Sequence, residues 1–117
     1  MKDELDIAWA AGILEGEGCF SADSDKRRKT TKKLSIRCQM TDQDIILRLH
    51  DIFSFGSVYK RKTRQEHHKQ AWEWRVTKQD DIETIIYKVL PYLGIRRSEK
   101  AKELLAYIDS RKKPNEG

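Results

Sequence analysis

The stretch Ala8-Trp9-Ala10-Ala11-Gly12-Ile13-Leu14-Glu15-Gly16-Glu17-Gly18-Cys19-Phe20 constrains this chain more than any other, because it joins small residues at helical spacing to two closely spaced acids. Ala8, Gly12 and Gly16 recur every four residues and share one helix face, which lets a second helix approach almost to backbone contact. The partner is either another helix of the same chain or a second copy. Glu15 and Glu17 fall at the predicted C-terminus, where the helix dipole is negative and further carboxylates are unfavourable unless a cation compensates. A divalent metal ion supplies such compensation. Gly18 ends the segment, as helix-terminating glycines often do, and Cys19-Phe20 opens an alternating run that predicts a strand.

A length of 117 residues predicts one domain over 1–110, followed by a loose tail over 111–117 that contains Pro114. The formal net charge of +5 and a pI near 9.2 favour a polyanionic partner. The positive charge gathers in Lys26-Arg27-Arg28-Lys29-Thr30-Thr31-Lys32-Lys33 and in Lys60-Arg61-Lys62-Thr63-Arg64, for which solvated loops are the plain alternative reading. Two cysteines are too few for a disulfide framework or a zinc cage, and the adjacent His67 and His68 lie in a basic stretch with no CxxC nearby. With no secretory apolar run in the sequence, the expectation is an intracellular protein, in the cytoplasm of a bacterial or phage-infected cell or in an organelle.

Two stretches repeat one another. Gln39-Met40-Thr41-Asp42-Gln43-Asp44-Ile45 and Arg75-Val76-Thr77-Lys78-Gln79-Asp80-Asp81 each place a threonine at a strand end, with Gln two and Asp three positions later. Both predict helix caps made by the threonine oxygen and the carboxylate. Apolar residues at helical spacing follow: Ile45, Ile46, Leu49, Ile52 and Phe53, then Ile82, Ile85, Ile86, Val89 and Leu90, with Pro91 limiting the second helix. Before each cap the period is two, with Leu34, Ile36, Cys38 and Met40 on one side and Trp72, Trp74 and Val76 on the other, so both tryptophans are assigned to the core. Further strands are predicted over 19–25 and 57–62, and a last helix over 98–110.

The order is thus αββαββα plus a final helix, an α+β fold. Four antiparallel strands covered by helices on one face leave the other face open. Alternation assigns to that open face Ser21, Asp23 and Asp25; Lys33, Ser35, Arg37 and Gln39; Ser57, Tyr59 and Arg61; and Glu73 and Arg75, with Arg27 and Arg28 beside them. Such a set suits a major groove, where Arg pairs with guanine, Gln with adenine, and an acid accepts from cytosine.

These features resemble the LAGLIDADG homing endonucleases, whose nine-residue signature maps onto residues 10–18. The segment Pro91-Tyr92-Leu93-Gly94-Ile95-Arg96-Arg97 and the element order extend the similarity over roughly residues 5–108. The signature departs from the family pattern at Ala10, where leucine is usual, and at Glu15 and Glu17, where the family has aspartates. The resemblance implies a DNA-binding saddle on the open sheet face. It also implies site-specific hydrolysis of double-stranded DNA with Mg²⁺ or Mn²⁺, and an origin in a mobile intron or similar element. Glu17 and the Gly16 carbonyl would hold the metal, an oxygen donor set that suits Mg²⁺. The family's secondary catalytic positions fall on Asp42, just past the second strand, and on Arg96 or Arg97. One motif per chain implies a homodimer, packed through Ala8, Gly12, Glu15 and Gly16, on a long pseudo-palindromic target. Glu15 also suits a cap on a neighbouring segment. The alternatives are a non-cleaving DNA- or RNA-binding module, such as a regulator or intron maturase, and a basic domain that recognises acidic protein surfaces. A nucleophilic role for Cys19 is set aside, since no histidine is placed to activate it.

Overall fold

The computed structural model describes residues 3–25, 28–62 and 69–112. The chain runs α1 (Glu4–Glu17), β1 (Gly18–Asp25), β2 (Arg28–Met40), α2 (Gln43–Phe53), β3 (Ser57–Lys60), β4 (Trp72–Val76), α3 (Gln79–Val89), a 3₁₀ turn (Leu90–Tyr92) and α4 (Ile95–Arg111). The strands form one antiparallel sheet in the order β1-β2-β4-β3. This is the α+β arrangement expected from the periodicities.

The core lies between one sheet face and the helices. Phe20, Leu34, Ile36, Cys38, Trp74 and Val76 come from the sheet, and each helix adds a buried stripe: Ile7, Ala10, Ala11 and Leu14 from α1, Ile46, Leu49, Ile52 and Phe53 from α2, Ile82, Ile85, Ile86 and Val89 from α3, and Ala101, Leu104, Leu105 and Ile108 from α4. Trp74 stacks on Phe53 with ring centroids 5.5 Å apart, and its indole N–H donates to the Phe55 carbonyl at 2.9 Å. Trp72 is half-buried against the same core, so both tryptophans sit where the alternation put them. Gly56 in the α2–β3 turn has φ +85°, and a Cβ there would lie 2.6 Å from the Arg75 carbonyl, so only glycine fits.

Several local expectations are corrected. α2 and α3 begin one residue later than the threonine caps require: Asp42 and Lys78 are the N-caps, and neither makes a side-chain cap bond. Backbone carbonyls alone open these helices, as in Ile46 N–H to Asp42 O at 3.4 Å and Ile82 N–H to Lys78 O at 3.0 Å. The first basic run is largely strand, because β2 extends back to Arg28 and pairs Lys33 with Asp23 and Lys32 with Ser24. The Tyr107 hydroxyl accepts from the Lys32 amide at 2.9 Å, tying α4 to this hairpin. β3 stops at Lys60 instead of residue 62, although the Arg61 amide still donates to the Ala71 carbonyl at 2.9 Å. α4 starts three residues earlier than its apolar spacing indicated and takes in Arg111, the first residue of the expected tail; residues 113–117 lie outside the described residues.

Candidate nucleic-acid interface and cleavage site

α1 packs its Ile7/Ala10/Ala11/Leu14 side into the core, which turns the small-residue stripe outward. Gly12 and Gly16 are exposed, and a Cβ built on either meets nothing within 4 Å. Among the described residues, the Gly12 and Gly16 positions of the stripe therefore face open space, while Ala8 is half-buried. Leu5, one heptad before Gly12 and thus on nearly the same face, is 81% exposed.

At the end of α1 the chain passes directly into β1, and Gly18 makes this possible. Its φ of −83° is ordinary extended backbone, so the glycine is needed for space: a Cβ would lie 2.7 Å from the Leu14 carbonyl oxygen and 2.9 Å from Leu14 Cδ2. Glu17, the last helical residue, is exposed. The junction is held from α4. The Glu15 carboxylate accepts from the Gly94 amide at 2.9 Å, at the N-cap of α4, while Arg97 donates through Nε to the Glu15 carbonyl at 3.1 Å and through Nη1 to the Gly18 carbonyl. These carbonyls lie on either side of Gly16; that of Glu15 belongs to the negative end of the α1 dipole, which a guanidinium stabilises, and that of Gly18 opens β1. Glu15 is therefore engaged inside the chain as a cap on α4, and Arg97 serves as a backbone clamp. The resemblance offered Arg97, beside Arg96, for a secondary catalytic position; the 79 residues between it and Gly18 hide these backbone contacts.

Arg96 is exposed in the first turn of α4, the end docked on α1. Asp42 is exposed between β2 and α2, four residues past Cys38, which is the register partner of Gly18. Glu17 thus adjoins the start of the edge strand β1, Arg96 stands one residue before the Arg97 clamp, and Asp42 follows the central strand β2 at the same end of the sheet. Among the described residues, no three His, Cys, Asp or Glu side chains gather in a metal-holding group. Glu17 and the Gly16 carbonyl are hard oxygen donors and fit Mg²⁺, which takes one or two protein carboxylates and completes its shell with water and phosphate oxygens.

The polar sheet face is assembled by register. One row across the sheet reads Cys19, Arg37, Arg75 and Ser57; the next toward the β2 end reads Gln39, Glu73 and Tyr59; on the other side lie Ser21 with Ser35 and Asp23 with Lys33. Asp23, Lys33, Gln39, Ser57, Tyr59 and Arg61 are exposed, and Ser35, Arg37 and Arg75 are half-buried. Two members differ from the exposed face expected. Ser21 is buried because the Arg37 guanidinium lies over it, Nη2 to Oγ at 3.4 Å, and Glu73 is only 3% exposed between Arg75 and Arg61. Arg27 lies outside the described residues, as do the side chains of Asp25 and Arg28 and residues 63–68, which include His67 and His68.

Cys19 shares its row with Arg37, whose Nη2 lies 3.5 Å from the sulfur. Burial pushes the Cys19 thiol up, but the hydrogen bond with Ser21 and the guanidinium groups of Arg37 and Arg97 outweigh it and bring the thiol below its ordinary range. Cys38, on the core face beneath the junction, is pushed up to about 11 by burial and then by the Glu17 charge.

A polar sheet face beside an acid-tipped helix with an open small-residue stripe defines a class of nucleic-acid-processing domain. The match to known proteins is more specific. The profile of the LAGLIDADG endonucleases aligns with residues 10–110. The chain is 30% identical over 119 residues to DNA endonuclease I-CvuI of Chlorella vulgaris, covering 97% of this chain and 68% of that protein. The structure of I-CvuI in complex with the I-CreI target in 2 mM Mg, with the DNA not cleaved, superposes with a TM-score of 0.77 at 27% identity over 91% of this chain and 67% of that one. The LAGLIDADG meganuclease I-AabMI, bound to uncleaved DNA, shares the fold with a TM-score of 0.69 at 18% identity, over 87% of this chain but 35% of its own. The chain belongs to the LAGLIDADG endonuclease family, and its activity class is DNA endonuclease.

Proposed function

We propose that two copies of this chain pack through their α1 helices and together make a site-specific double-strand cut in DNA, each copy serving one strand. The observation that carries this reading is the outward stripe of α1, open at Gly12 and Gly16 among the described residues, ending in an exposed acid beside the polar sheet face. A two-fold pairing of Ala8, Gly12 and Gly16 brings both Glu17 side chains to the axis and aligns two sheets along one duplex, so the target is long and pseudo-palindromic. Glu15 supports this interface indirectly, by fixing α4 against the end of α1.

Glu17 and the Gly16 carbonyl hold a divalent cation, Mg²⁺ or Mn²⁺. A cation bound there would supply charge neutralisation at the scissile phosphate and activation of water. Arg96 faces the phosphate and opposes the charge that builds as water oxygen bonds to phosphorus and the bond to the leaving oxygen breaks. Asp42 accepts a hydrogen bond from water at the rim of the site. On the sheet, Arg37, Gln39, Tyr59 and Arg75 meet base edges, while Lys33, Arg61 and the basic residues near the β1–β2 turn, Arg27 and Arg28 included, meet phosphates. An intracellular setting and a home in a mobile genetic element accord with this activity.

The test is incubation of the native protein and Glu17→Gln with a randomised duplex library and Mg²⁺, sequencing cut ends and retained molecules separately. Cutting by the native protein alone, at a pseudo-palindromic site, is the expected result. Enrichment of bound sequences with no cutting by either protein overturns it in favour of a regulator or maturase.

A further inference from the structure

Glu73 is a buried acid in a cluster of cations. It stands on β4, on the polar face, with Gln39 and Tyr59 as its register partners. A carboxylate buried this deeply is costly unless cations and donors replace its lost water. Its Oε2 accepts from Arg75 Nε at 2.7 Å, and its Oε1 lies 3.7 Å from Arg61 Nη1. Both oxygens are thus turned to guanidinium groups, and the acid lies too deep to accept from a cytosine amino group. Glu73 is part of the lining, with Tyr59, Arg61 and Arg75, of a cleft of about 430 Å³.

Arg75 differs from its partner in exposure: its side chain is 36% exposed, that of Glu73 4%. The ion pair uses Nε. That leaves outside it the Nη1–Nη2 edge, which grips O6 and N7 of guanine in a major groove. Arg37 is the register partner of Arg75, so two cations adjoin across β2 and β4. The contact with Glu73 holds the Arg75 guanidinium against that repulsion and removes rotamer freedom before DNA arrives, which lowers the ordering cost of binding.

We infer that Glu73 is a positioning residue for specificity: it presents Arg75 to a guanine in each half-site and reads no base itself. This rests on the endonuclease reading above and adds the identity of one base and the pair of residues that selects it.

The experiment is selection of bound duplexes from a randomised library in Ca²⁺, by the native protein, Glu73→Ala, Glu73→Gln, Arg75→Ala and the Glu73→Ala/Arg75→Ala double variant, with thermal melting of each. The native protein should select guanine at one position per half-site. Both single alanine variants should lose that preference at the same position, by about 5- to 150-fold for a bidentate arginine–guanine contact, and the double variant should lose no more. Glu73→Gln, nearly isosteric and still able to accept from Nε, should keep part of the preference and guards against misfolding of the alanine variant. A purely structural role would lower melting temperature and affinity while leaving every base preference intact, and that result overturns the inference. So does loss of a cytosine preference in Glu73→Ala that Arg75→Ala retains. A native protein that binds but enriches no sequence overturns the site-specific reading itself, and this inference with it.

Discussion

Gly12→Leu should convert an associated protein into a folded, separate chain. A Cβ at Gly12 meets nothing within 4 Å and the position is exposed, so the single chain has room for the side chain. Replacing a mid-helix glycine with a good helix former should even stabilise it, by about 0.5–1 kcal/mol. In the pair the sign reverses. Two α1 helices that meet at backbone distance have no space for leucine, and two-fold symmetry makes each substitution twice. Overpacking of roughly 1–3 kcal/mol per side chain gives about 2–6 kcal/mol for the pair. At about 1.4 kcal/mol per tenfold, association weakens by roughly 30- to 20,000-fold. Sedimentation equilibrium reads the association, and thermal unfolding at a concentration where the native protein is dissociated reads the chain alone. An unchanged association constant would show that the stripe is not the interface. A loss of stability in the dissociated chain would show instead that Gly12 has an intrachain role. Gly16→Ala should follow the same pattern more weakly.

Two other perturbations separate support from chemistry. Arg97→Ala removes charged hydrogen bonds to the Glu15 and Gly18 carbonyls and should cost about 1.5–3 kcal/mol in urea unfolding; Arg97→Lys should fail to restore it, because one ammonium lacks the fork that spans both. For Cys38, the folded thiol keeps its proton up to about 11, whereas an ordinary thiol loses it near 9, so the unfolded chain binds fewer protons in that window. Stability from this group is intact below the unfolded value and is lost as pH rises through the folded one, on the order of 2–3 kcal/mol between pH 9 and 11. Cys38→Ala should flatten that part of the pH–stability curve in paired denaturation series, and an equal decline in both proteins refutes it.

The periodicities were legible where burial follows local spacing. Ile46/Leu49/Ile52/Phe53 and Ile82/Ile85/Ile86/Val89 repeat at helical intervals and are buried as the spacing requires, and the alternation through Leu34, Ile36 and Cys38 placed β2 correctly. The stripe in α1 was legible as one shared face but not as an outward one, since four-residue spacing shows that a face is shared and not which way it points. Other features depended on contacts far apart in sequence. Nothing near Thr41 or Thr77 shows that the caps fall one residue later. The strand character of Arg28 to Lys33 depends on pairing with β1, which overrides the loop-like charge density. Glu73 and Ser21 were assigned to the right face, yet their burial comes from arginines on the same face, Arg75 and Arg61 for one and Arg37 for the other.

The end of α1 couples the two surfaces that the proposed activity needs. The stripe of Ala8, Gly12 and Gly16 sets how two chains would approach, and Glu17 ends that same helix one residue before β1 begins. Any shift of α1 against such a partner would therefore move the acid and the first strand of the sheet together. The clamp from α4 ties this junction to the rest of the chain, since Glu15 accepts from the Gly94 amide while Arg97 donates to the Glu15 and Gly18 carbonyls. Replacement of the family aspartates by glutamates fits the same geometry. At position 15 the longer side chain reaches the start of α4. At position 17 the acid is exposed, so the reach of its extra methylene toward a cation would be set by solvent-side space and not by the packing that fixes Gly18.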